Sequence, residues 1–103
     1  MEPKKETAWS VTLSSAVEKQ MRNLQTHIKA QLFFLIKEME SLGPHRVAWK
    51  NYGPLKRGRA IPDNAFHCHL KKGRPTYVAC WTVNKNEKKI EVFYVGTHEN
   101  APY

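Results

Sequence analysis

Tyr77-Val78-Ala79-Cys80-Trp81-Thr82-Val83 decides how this chain folds. Both alternating faces of the run are apolar, a pattern a strand carries when both its faces are covered, so it is expected at the centre of a sheet. Asn84 to Lys89 follows as a polar turn, and Ile90 to Val95 is apolar again. Two such runs joined by a short loop predict an antiparallel hairpin. Just upstream, Phe66, Cys68 and Leu70 alternate with His67 and His69, the period of a strand with one buried face. His45 to Pro62 is punctuated by Gly53-Pro54, Gly58 and Pro62, so it reads as loop, with room for a short strand at Val47 to Lys50.

The N-terminal half has a different period. Trp9, Val11 and Leu13 alternate with Ser10, Thr12 and Ser14, which predicts a short strand. Ser15 with Glu18 fits a capping box, placing a helix start there. Val17, Met21, Leu24, Ile28, Leu32, Leu35, Ile36, Met39 and Leu42 then recur at helical spacing until Gly43-Pro44 stops the pattern. One straight helix from Ser15 to Leu42 would be about 42 Å long. A domain of this size has a radius of gyration of only about 13 Å. A break near Asn23 to Thr26 is therefore expected, giving a helical hairpin. Phe33 and Phe34 widen the stripe, read first as core packing and second as a partner surface. Strand, helical hairpin and meander together predict an α+β fold, with the hairpin packed on an antiparallel sheet.

The 103 residues have room for a single domain, 1–103, and an apolar content of 41% is enough to build its core. The longest apolar run, Leu32 to Ile36, is far short of the roughly 20 residues that cross a bilayer. No secretory pattern follows Met1, and Cys68 and Cys80 alone make no disulfide framework, so a cytoplasmic protein without a membrane partner is expected. Charge is unevenly spread. Of 17 basic residues, 11 lie between Arg46 and Lys89, against 2 acidic ones there. Such a local excess suits a polyanion, whose phosphates attract Lys and Arg; the plainer reading is a solubilising surface.

On a strand, His67 and His69 point to one side and Cys68 to the other. With Phe66, Cys68 and Leu70 facing the core, both imidazoles lie on the open face, as a surface pair or as part of a site. A metal reading lacks a third ligand at suitable spacing, and a buried Cys68 has no activating partner for nucleophilic chemistry. The tail Gly96-Thr97-His98-Glu99-Asn100-Ala101-Pro102-Tyr103 sets a His close to a terminal Tyr.

Tyr94-Val95-Gly96-Thr97-His98 with Tyr103 resembles the final strand and tail of RelE/ParE-superfamily toxins, most nearly the YafQ-like and RelE-like branch. Phe66 to Leu70 and Tyr77 to Trp81 resemble that family's central strands, and Gly53-Pro54-Leu55-Lys56 its basic loop. The resemblance implies a toxin of a toxin–antitoxin system, an endoribonuclease that cuts mRNA on the ribosome and is silenced by a cognate antitoxin. It carries catalytic positions onto Lys56, His69, His98 and Tyr103. Two departures stand out: Lys71-Lys72-Gly73-Arg74 replaces an acidic position, and Tyr52 stands where a loop histidine is usual.

Residue chemistry alone fits RNA cleavage without metal or cofactor. The 2′-hydroxyl must lose a proton, the phosphorane charge must be stabilised, and the 5′-oxygen must gain a proton. Histidine suits either transfer, with His69 as base and His98 as acid, or the two exchanged. Lys50, Arg57, Arg59, His67, Lys71, Lys72 and Arg74 are the candidate RNA- and phosphate-binding groups, and Tyr103 would stack on a base or aid proton transfer. The rival readings are a non-catalytic toxin that binds DNA gyrase and a plain nucleic-acid-binding module.

Overall fold

The computed structural model describes residues 8–55, 61–62 and 64–103. Strand β1 (Ser10–Leu13) leads into helices α1 (Ser15–Met21) and α2 (Thr26–Leu42). Strands β2 (Gly53–Pro54), β3 (Ala65–Lys71), β4 (Tyr77–Asn84) and β5 (Lys89–Thr97) follow, with a final 3-10 turn at His98–Asn100. The five strands are ordered β1-β5-β4-β3-β2, so β4 is central, as its two apolar faces require. Strands β2 to β5 pair antiparallel, while β1 joins the far edge parallel to β5, Ser10 opposite Lys89 and Leu13 opposite Val92. The sheet is therefore mixed: two helices and three strands lie between β1 and its partner β5, and a connection of that length permits parallel pairing where a tight turn does not. No described helix is long and apolar enough to cross a membrane.

The helical break lies between Met21 and Thr26, where the length argument puts it. The first cap differs from expectation by one residue. Ser14, extended at φ −67° and ψ 162°, is the N-cap, and its hydroxyl accepts from the Val17 amide at 3.2 Å. Ser14 also donates its own amide to Val92 at 3.0 Å, so one residue ends the strand ladder and opens the helix. Val17, Ile28, Leu32, Leu35 and Met39 are wholly buried against Cys68, Leu70, Ala79, Trp81, Val83, Ile90, Val92 and Val95. Trp81 is the largest of the fully buried side chains, and removing a residue of that size costs about 3–5 kcal/mol. Phe33 and Phe34 are not core: they are 57% and 61% exposed, because the buried stripe is complete without them.

Val47 to Lys50 forms a turn instead of a strand. Glu38 explains this, since its Oε1 accepts from both Trp49 Nε1 at 2.9 Å and Arg46 Nη1 at 3.2 Å and draws the segment onto α2. The short edge strand comes later, with Gly53 opposite His67.

Two one-residue slips set which side chains share a face. In β5, Val92 lies opposite Trp81 and Tyr94 opposite Cys80, so Phe93 is the extra residue of a bulge. Before it, Ile90 and Val92 face the helices; after it, Val95 does, and the set Tyr94, Gly96 and His98 passes to the open face. In β3, Val78 lies opposite His69 and Tyr77 opposite Lys71, so Leu70 is extra and Lys71 leaves the histidines' face.

Gly43 ends α2 at φ +96°, and a Cβ built there would sit 3.0 Å from the Trp9 indole nitrogen. Gly43→Ala combines a left-handed strain with a clash, so it is expected to lower unfolding stability by about 1–3 kcal/mol. Urea unfolding checks this: the midpoint falls with the slope unchanged, whereas an unmoved midpoint would mean the cap is relaxed.

Candidate active site

Cross-strand rows build the open face. One row sets His67 on β3 beside Cys80 on β4 and Tyr94 on β5, and the next sets His69 beside Val78 and Gly96. Val78 and Cys80 are fully buried although they lie on the face away from the helices, so the histidines and the tail must cover them. Three bonds bring the tail there. The Tyr94 hydroxyl donates to the Thr97 carbonyl at 2.7 Å, the His98 amide to Thr76 at 2.8 Å, and the Ala101 amide to His98 at 3.2 Å. Gly96 is required beneath the first of these, because a Cβ there would lie 2.7 Å from the Tyr94 hydroxyl.

Four rings converge as a result. His69 and His98 have centroids 5.7 Å apart, His98 and Tyr103 5.6 Å, His67 and Tyr103 4.7 Å, and His67 and His69 6.4 Å. His69 and His98 border an open cleft of about 740 Å³ with Gly73, Arg74, Pro75, Thr76 and Glu99. Both imidazoles border the same cleft, so a group seated there meets the two rings from one side.

Protonation follows from the packing. Burial first, then the neighbouring His98 and His67, pushes His69 below the ordinary imidazole value. Burial pulls His67 down too; the Gly53 hydrogen bond opposes that shift, and His98 adds to it. His67 Nδ1 lies 3.0 Å from the Gly53 carbonyl, which only accepts, so Nδ1 carries the proton and the neutral ring keeps its lone pair on Nε2. Burial, with Cys80, Cys68 and Tyr94 nearby, pushes Tyr103 up to about 12, so its hydroxyl is a donor at neutral pH. Cys68 is buried as expected and its thiol is pushed up to about 12.

The remaining sequence candidates divide. Arg74 lines the cleft. Lys50 is exposed and adjacent, since its carbonyl accepts the His69 amide at 2.8 Å. Lys72 is exposed in the turn that leads to Arg74. Lys71 is turned away by the bulge, its Nζ 3.3 Å from His27 Nε2 beside the start of α2. Lys56, Arg57 and Arg59 lie outside the described residues. Among the described residues no three His, Cys, Asp or Glu side chains are grouped to hold a metal ion. Sequence reasoning missed Glu99, the carboxylate of the cleft, and the pair Tyr94–Gly96 that folds the tail. A tyrosine two residues before a glycine on a strand was the only available signal.

A charged His98 disfavours a charged His69. An NMR titration of the His69 ring is expected to give a midpoint below about 6.5. In His98→Ala the midpoint should rise, yet stay below that value because burial persists. An unchanged midpoint would show that the rings do not sense each other.

No protein-family model and no curated protein matches the sequence. Solved structures match the fold. A chain of the archaeal RelE–RelB complex from Pyrococcus horikoshii is similar at a TM-score of 0.68 and 14% identity, over 91% of this chain and 99% of that one. The isolated Escherichia coli RelE toxin gives 0.60 and 20%, over 92% and 89%. A chain of the toxin–antitoxin complex RelBE2 from Mycobacterium tuberculosis gives 0.63 and 18%, over 95% and 100%. With two helices laid over one face of a mixed five-stranded sheet, this chain has the fold of these RelE toxins.

Proposed function

We propose that this protein is the toxin of a toxin–antitoxin pair, a metal-independent endoribonuclease that cuts mRNA, engages it on the ribosome in the cytoplasm, and so inhibits translation. The observation that carries the reading is the convergence of His67, His69, His98 and Tyr103 on one face beside a cleft that holds Arg74. Solved neighbours of the same fold include toxins held in complexes with antitoxins, which supports a cognate antitoxin here. The exposed rings of Phe33 and Phe34 on α2 offer apolar surface for such a partner.

In this mechanism His69, kept neutral at physiological pH, takes the 2′-hydroxyl proton. The freed oxygen attacks the adjacent phosphorus, and His98 gives a proton to the departing 5′-oxygen. The products are a 2′,3′-cyclic phosphate and a 5′-hydroxyl. Arg74 faces the charge that grows on the phosphorane, where fixed cations act most strongly. Tyr103 keeps its proton and serves as a donor and a ring on which a base can stack.

The test is cleavage of an mRNA in a reconstituted translation reaction containing EDTA-treated toxin. Wild type should cut at defined positions and leave cyclic-phosphate ends, and a 2′-deoxy substitution at a cut site should abolish that cut. His69→Ala and His98→Ala should each slow cutting by about 10²–10⁴-fold. Intact RNA with wild-type protein, while expression still arrests growth, would overturn the nuclease and favour a gyrase-type toxin.

A further inference from the structure

The opposite face of β3 carries a second cleft, of about 440 Å³, at the far end of the hairpin from the histidines. Its walls are His45, Asn64, Phe66, Asn84, Lys85 and Asn86, with Val83 at the side. The volume falls within the roughly 300–1,000 Å³ range of small-molecule sites.

An aromatic stack ends at this cleft. Trp81, fully buried, stacks on Tyr52 at 6.1 Å, and Tyr52 stacks on Phe66 at 5.9 Å with an interplanar angle of 2°. Phe66 lines the cleft, whereas Tyr52 and Trp81 do not. His45 stands edge-on to Phe66 at 5.3 Å and forms a wall. A flat ring entering the cleft would therefore meet an aromatic surface already backed by two further rings, a preorganised platform.

The polar groups around that platform match one ligand class. The Tyr52 hydroxyl, which burial keeps protonated, lies 2.7 Å from His45 Nδ1. With that hydroxyl donating, Nε2 of His45 carries a proton outward. Asn84 Oδ1 accepts from the Glu87 amide at 3.1 Å, which leaves the Asn84 amide nitrogen as a donor. Asn64 and Asn86 each offer a donor and an acceptor, the pair of functions that reads a base edge. Lys85 supplies a cation suited to a phosphate. We infer that this cleft is a nucleotide-binding site, taking the base against Phe66 between asparagine amides with its phosphate toward Lys85. The inference does not depend on the cleavage reading, because Phe66 and the histidines occupy opposite faces of β3.

The test is a heteronuclear NMR titration of the full chain with AMP, then with a six-nucleotide single-stranded RNA. Saturable shifts are expected at His45, Lys85 and the Asn64 and Asn86 side-chain amides. Lys85→Ala and Asn86→Ala, both in an exposed turn, should each weaken AMP binding by about tenfold without moving the His69 and His98 signals. If the hexamer shifts this cleft more tightly than AMP, the natural ligand is an RNA strand; if AMP enters and the hexamer does not, it is a free nucleotide. Shifts confined to the His69–His98 cleft, no saturation at millimolar AMP, or equal affinity in both variants would overturn the proposal.

Discussion

The bulge at Phe93 is the constraint on which the candidate site depends. Side chains alternate along a strand with a period of two, so one extra residue exchanges the faces of everything after it. Before Phe93, even-numbered residues Ile90 and Val92 fill the helix side; beyond it Val95 takes that role. Tyr94, Gly96 and His98 are thereby delivered to the open face, opposite Cys80 and Val78 and in line with His67 and His69. Without the slip, His98 would continue the helix-facing set and Val95 would point away from the core. The second bulge, at Leu70, does the reverse for Lys71: it removes that cation from the histidines' face and sets it against His27.

Holding the tail across the sheet has electrostatic consequences. The tail covers Val78 and Cys80, and the same packing desolvates His67, His69 and Tyr103. Desolvation penalises the charged form, so the two strand imidazoles stay neutral and the tyrosine stays protonated. Proton acceptors and a proton donor therefore sit side by side at neutral pH, made by burial more than by ion pairing. Arg74 lines the cleft and is exposed, so its charge is hydrated.

Packing on the other side of β3 has a different logic. Glu38 ties Arg46 and Trp49 to α2, which seats the 45–52 segment over the sheet and lets Tyr52 lie between Phe66 and Trp81. That seat also presents Lys50 to the His69 backbone. One carboxylate on a helix thus sets the aromatic platform of one face and the edge of the other.

Much of this was legible in the sequence. The two-faced apolar run Tyr77 to Val83 placed β4 at the centre, the 3.6-residue stripe placed both helices, and chain length alone required their break. His67 and His69 were assignable to the open face because Phe66, Cys68 and Leu70 so clearly needed the other. These features are local: each follows from spacing along a few residues and the need to bury one side. What only the tertiary structure decided are the non-local features. The parallel pairing of β1, the turn that Glu38 imposes at Val47 to Lys50, and the removal of Phe33 and Phe34 from the core depend on what each segment meets across the fold. So do the slips at Leu70 and Phe93, since a bulge is a relation between two strands and leaves no period in either one. The sequence determined which faces could exist; pairing across the sheet decided that His98 and Tyr103 share one with His69, and that Lys71 does not.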